Sequence, residues 1–100
     1  MSVEETIKDR DSKYGSFVDY CSISFNLKAN MEFAKNGRIH PLHREALDMI
    51  FCKIARILNG DPNLVDNWHD IAGYATLVEK ELIKDKMVNP KDFGEISDEV

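Results

Sequence analysis

The sequence predicts an all-α protein, and three observations carry that expectation. Apolar residues recur at three- and four-residue spacings along most of the chain, with none of the two-residue alternation of a strand. Turn residues separate the periodic segments: Gly15, then Gly37, then Gly60 with Pro62. The composition, 43% hydrophobic and 31% charged, is that of an ordinary globular domain and excludes a disordered chain. The expected architecture is a helical bundle of three main helices plus a possible short N-terminal one. One hundred residues bury a limited core, so oligomerisation is expected to complete the bundle.

Residues Ser2–Asp11 are charged, and Val3 and Ile7 lie four apart, the pattern of a short amphipathic helix. Lys13-Tyr14-Gly15 breaks it. Ser16, with Asp19 three residues on, resembles a capping box, so a helix should start near Phe17. Along it, Tyr20, Ile23, Leu27 and Met31 form one stripe, and Phe17, Cys21 and Phe25 form a neighbouring one. A helix with so wide an apolar arc is central in the fold or lies against a second subunit. Asn36-Gly37-Arg38 is the next turn, with Gly37 as its left-handed residue.

Pro41 suits the first turn of the following helix, where a missing amide costs nothing. That helix runs to about Leu58, with Leu47, Ile50, Phe51, Ile54, Ile57 and Leu58 as its core stripe. After Asn59-Gly60-Asp61-Pro62, Asn63 or Asp66 is placed to cap the third long helix. Its expected buried side is Trp68, Ile71, Ala72, Ala75, Val78 and Leu82. Gly73 in mid-helix costs roughly 1 kcal/mol against Ala, which suggests close approach by another helix or a ligand. One domain is expected over residues 1–87, followed by an acidic C-terminal extension over 88–100 that contains Pro90 and Gly94.

The net charge of −5, with no run of Lys or Arg, argues against general nucleic-acid binding, which needs a basic face. The apolar stretches are too short to cross a membrane. The polar start of the chain does not read as a signal peptide, so a cytoplasmic protein is expected. Cys21 and Cys52 fall within helical patterns and form no CxxC, so both are expected as reduced, buried thiols.

Four groups of residues could carry chemistry. Glu45 and Asp48 share one helix face, and Asp66 and Asp70 share another. Converging carboxylates of this kind could hold Mg²⁺, which orients a phosphate chain and activates water. In an antiparallel hairpin Glu45 lies far from the turn and Asp66 near it. The pairs would face each other only with offset helices or across a second subunit. Otherwise these acids are helix-terminal and surface residues. Lys53, Arg56 and Asp70 come level across the same hairpin. They form an interhelical ion pair, or the two cations hold phosphate oxygens, and an ion pair at a pocket edge can open to do so. In Trp68-His69-Asp70, His69 could serve as a base, and Trp68, like Tyr74, is read as base-stacking or core. The spacing of His40, His43 and His69 gives no zinc motif. Lys13, beside Gly15 ahead of a helix start, could add an anion contact, or the segment is a tight turn.

KYGSF, then REALDMIFCKIARILNGDP, then DNWHDIAGYATLVEKEL resembles a family of small all-α proteins encoded by phages and prophages, from about Ile7 to Leu82. More distantly the layout is similar to the MazG-like nucleotide pyrophosphohydrolases, whose ExxE and ExxD carboxylates hold Mg²⁺ against a nucleoside triphosphate. Glu45-x-x-Asp48 stands at the first motif. Asp66-x-x-His69-Asp70 stands at the second and departs from it, because His69 occupies the fourth position. The resemblance implies assembly as a dimer or tetramer and a nucleotide ligand, bound with or without turnover. It implies a site in the cytoplasm of the infected or lysogenic bacterial host. The alternative is an accessory or anti-defence protein that binds a host protein, or sequesters a nucleotide signal, without catalysis.

Overall fold

The computed structural model describes residues 2–84 and folds them into α1 (Val3–Tyr14), α2 (Phe17–Ala34), α3 (Pro41–Asn59) and α4 (Val65–Lys84). No strand occurs among the described residues, so the protein is an all-α helical bundle. The C-terminal extension expected over 88–100 lies outside them.

Local chemistry explains most of the helix ends. The Ser2 hydroxyl accepts from the Glu5 amide at 3.1 Å, and Glu4 and Glu5 complement the positive end of α1. Ser16 caps α2 by accepting from the Asp19 amide at 3.4 Å, and α2 starts at Phe17 as the sequence indicates. Pro41 is the first residue of α3. His43 Nδ1 accepts from the His40 amide at 3.1 Å, which gives these two histidines a capping role.

Two caps differ from expectation. Gly37 is not the left-handed residue; Lys35 is, at φ 48° and ψ 37°. The helix stops ahead of the glycine, and Asn36 then makes the turn. Its Oδ1 accepts from the Arg38 amide and its carbonyl from the Ile39 amide. Neither Asn63 nor Asp66 caps α4, because the first helical residue is Val65. Asp61 instead shapes the turn, its Oδ1 accepting from the Asn63 amide at 2.9 Å.

The helices form an open layer. α3 lies in the middle, with α2 and α4 packed on it and almost no contact between those two. A helix flanked in this way is half-covered along its length, and Ala55 is the one fully buried apolar residue described. The packed face of α4 holds Asn67, Ile71, Tyr74 and Val78, and Trp68, Ala72 and Ala75 point outward. The expected buried side is therefore wrong for those three residues. Two interactions turn the helix: Asp70 reaches Lys53 on α3 at 2.9 Å, and the Trp68 indole donates back to the Pro62 carbonyl at 2.9 Å.

No residue of α1 is buried. α1 is instead fastened at its C-terminal end. The Asn59 side-chain amide donates to the Tyr14 and Ser16 carbonyls, each at 2.8 Å, and the Asp61 amide donates to the Lys13 carbonyl at 2.9 Å. Gly15, at φ 76°, and Gly60 make this approach possible. A Cβ on Gly15 would strike the Asn59 carbonyl, and one on Gly60 would strike the Lys13 carbonyl and Tyr14 Cα.

Gly73 is the opposite case. A Cβ there would meet nothing within 4 Å, so the close approach its mid-helix position suggests is not made among the described residues. Gly60→Ala should therefore destabilise by about 1–3 kcal/mol, because backbone on both sides must move. Gly73→Ala should stabilise by up to about 1 kcal/mol through helix propensity alone. Urea denaturation of the two variants checks both signs. Equal effects would contradict this account of the Gly15–Gly60 contact.

Candidate functional site

Polar side chains line the seam between α3 and α4. The Lys53 side chain is 12% exposed and its partner Asp70 is 41% exposed, so the ammonium is the more deeply held member of the pair. The hydrogen bond from Lys53 holds the Asp70 carboxyl below its ordinary value against a smaller opposing effect of burial, aided by the charges of Lys53, His69 and Arg56. One turn nearer the connection, in the same antiparallel register, stand Arg56 and Asn67. Asn67 is 2% exposed. Its Nδ2 and Arg56 Nε are buried and have no hydrogen-bond partner among the described residues. Both atoms are donors.

Arg56 is held from the other side by an aromatic ring. Its guanidinium carbon lies 4.7 Å from the centroid of Tyr14, and Arg10 lies 5.9 Å from the same ring. The Asn59 bond to the Tyr14 carbonyl sets where that ring stands. Arg10, Asp11, Tyr14, Tyr20 and Arg56 bound a small cavity of about 10 Å³, room for about one water.

A second polar group lies between α2 and α3. Burial pushes the Cys52 thiol up, but hydrogen bonds from Tyr20 and Lys28, the Lys28 charge and a hydrogen bond from Ser24 together bring it below its ordinary value. Burial raises the Tyr20 hydroxyl, and Cys52 raises it further. Tyr20, Ser24 and Lys28 recur every fourth residue, a pattern overlooked in a helix read for its apolar stripes. Cys52 is half-buried and reduced, whereas Cys21 is exposed, contrary to the expectation of two buried thiols.

The acidic residues do not assemble within one chain. Glu45 and Asp66 are exposed. Asp48 faces the α2 side, in a groove with Phe25, Lys28, Glu32 and Arg44. Asp70 reaches Lys53 on the α4 side. α3 thus stands between Asp48 and Asp70, and no group of three or more potential ligands converges among the described residues. In the same groove Arg44 pairs with Glu32, and that hydrogen bond lowers the Glu32 carboxyl and raises the Arg44 guanidinium.

The remaining candidates are dispersed. Lys13 pairs with Asp9 at 3.2 Å on the exposed side of α1. Trp68 is 54% exposed on the outer face of α4, so it is not core. Tyr74 is half-buried on the packed face. A hollow of about 540 Å³ is bounded among the described residues by α4 alone, and one helix does not enclose a ligand. The sequence thus places Lys53, Arg56 and Asp70 together correctly and omits Asn67.

The chain belongs to the family described as a domain of unknown function (DUF6378), whose model matches residues 2–82. No curated protein and no solved structure matches it.

The unequal burial of the Lys53–Asp70 pair has a measurable consequence. Asp70→Asn strands an ammonium that is largely out of water, whereas Lys53→Met leaves a carboxylate that water still reaches. Asp70→Asn should be the more destabilising of the two. The folded-state value of Asp70 is depressed, so its contribution is present above the ordinary carboxylate value and lost as pH falls through the folded one. The stability gap between parent and Asp70→Asn should hold steady from about pH 7 to about pH 5 and shrink below about pH 4. Thermal melts across that range check it. A gap that widens on acidification would contradict it.

Proposed function

We propose that this family member binds phosphorylated ligands, nucleotides being the expected class, through Arg56 and Lys53 with Asn67 beside them. The carrying observation is the pair of buried donors without acceptors, Arg56 Nε and Asn67 Nδ2, level on adjacent helices next to a lysine. A buried unpaired polar group costs about 1–3 kcal/mol. A phosphate group presents several anionic oxygens and satisfies such donors together, with the guanidinium as its bidentate partner. The local charge supports this: Arg10, Lys53 and Arg56 outnumber Asp11 and Asp70 around the seam and its small cavity.

The cavity beside Arg56 is too small for a phosphate while Tyr14 covers it, so entry requires the Tyr14 ring to turn aside. That exchange is favourable. A cation–π contact contributes about 0.5–2 kcal/mol, whereas each hydrogen bond to a charged group contributes about 1.5–3 kcal/mol. Lys53 and Asp70 do not line this cavity; they flank Arg56 from the α3–α4 seam.

Binding needs only this seam. Hydrolysis of a nucleoside triphosphate with Mg²⁺ held by Glu45, Asp48, Asp66 and Asp70, in the MazG-like manner, needs carboxylates brought from more than one chain. Self-association is part of the proposal, supported by exposed Phe17, Val18, Phe25 and Phe33 on α2. A phage or prophage protein acting in its host's cytoplasm is the setting that the KYG, REAL and DIAGYA motifs suggest. Docking onto a host protein without any ligand is the alternative. The same exposed residues, with Trp68 and Leu77 on α4, favour it.

Thermal shift with inorganic pyrophosphate and a panel of nucleoside triphosphates, in EDTA and in Mg²⁺, tests the proposal. Binding to the native state alone raises its apparent stability. The expected result is a rise with at least one of them in EDTA, lost in Arg56→Met and retained in Trp68→Ala. No rise with any of them would overturn it.

A further inference from the structure

We propose that two copies of this chain pack through their α2 helices, crossing antiparallel along the row Phe17, Cys21, Phe25, Ala29 and Phe33. This gives a surface to the self-association included above and does not depend on the Arg56 site. The five residues recur every fourth position and all are exposed. Phe25 is 72% exposed and Phe33 is 83% exposed, on a helix whose opposite face already packs on α3.

The row alternates large, small, large, small, large. Four-residue rows are the ridges that interdigitate when two helices cross at about −50°. Across a two-fold axis the alternation is self-complementary: Phe25 seats on the partner's Ala29, and Phe33 on the partner's Cys21. An isologous contact of this kind closes on itself as a dimer. At roughly 150–250 Å² per aromatic side chain, Phe25 and Phe33 alone supply on the order of 300 Å² per chain. That is more than a third of the roughly 800 Å² a stable partner contributes.

The occupant is identified by this match to α2 itself and by what lies beside the row. A groove of about 340 Å³ between α2 and α3 shares Phe25 and Ala29 with it, and also holds Glu32, Arg44 and Asp48. A second copy seated on the row roofs that groove on both chains. The Glu32–Arg44 pair and Asp48 become partly enclosed, and the same charged residues of the partner lie across the axis.

Light scattering on the full chain at micromolar concentration tests the inference, with far-UV circular dichroism to monitor folding. The parent should show twice the chain mass or a multiple of it. Phe25→Glu and Ala29→Trp should each halve that mass at unchanged helicity. Both side chains are exposed at the rim of the α2–α3 groove, and either variant suffices if the other fails to fold. Leu77→Glu on the outer face of α4 should leave the mass unchanged. A monomeric parent would overturn self-association altogether. An oligomeric parent unaffected by both α2 variants would overturn this surface alone, and dissociation by Leu77→Glu only would assign the contact to α4. Pyrophosphate binding, measured separately on Phe25→Glu, should persist.

Discussion

The structure depends on the contact between Gly15 and Gly60, closed by the Asn59 side chain. Two corners meet there, the one between α1 and α2 and the one between α3 and α4. Asn59 donates to carbonyls on both sides of Gly15, so it fixes the direction in which α2 leaves. α1 buries no side chain along its length, and this contact is what keeps it on the bundle. The same bond holds Tyr14 over Arg56. Backbone packing, helix placement and the environment of the principal cation therefore share one cause. Hydrogen bonds of about 0.5–1.5 kcal/mol each have this leverage because both glycines allow backbone to meet backbone.

A three-helix layer with α3 in the middle has little interior. Most apolar side chains are half-covered, and the deepest positions go to Ser24, Ala55 and Asn67. Two of those three are polar. Small domains have only about 5–15 kcal/mol of net stability, and unsatisfied donors at Arg56 and Asn67 draw on it. A leucine in place of Asn67 would pack without that loss. Costly polar groups at the best-covered positions belong to a site more readily than to a core.

Much of this was legible in the sequence, because caps and hairpin register are local. Ser16 and Pro41 mark helix starts by their own chemistry, and the level positions of Lys53, Arg56 and Asp70 follow from a short turn between two long helices. The rest depends on which way a helix is rotated, and periodicity gives that poorly when apolar residues surround it. On α4, Trp68, Ala72 and Ala75 look like core by composition, yet the Lys53–Asp70 pair turns Asn67 inward in their place. The four acids share faces in pairs, as their spacing says. That α3 separates Asp48 from Asp70 is a property of the layer and has no local sign. Gly37 stands in the expected turn, but the left-handed conformation falls to Lys35, where the helix ends.

α2 states the organisation most plainly, since apolar residues lie on both of its sides: Ile23, Leu27 and Met31 are half-buried, and a row of phenylalanines is exposed. Tyr20, Ser24 and Lys28 face α3 and gather around Cys52, and Phe17, Phe25 and Phe33 face away. Covering those three phenylalanines would be favoured by about 1.5–3 kcal/mol for each large apolar side chain buried. The polar group around Cys52 and the row of phenylalanines then lie on different sides of one helix, and a two-fold partner is the proposed cover for the second.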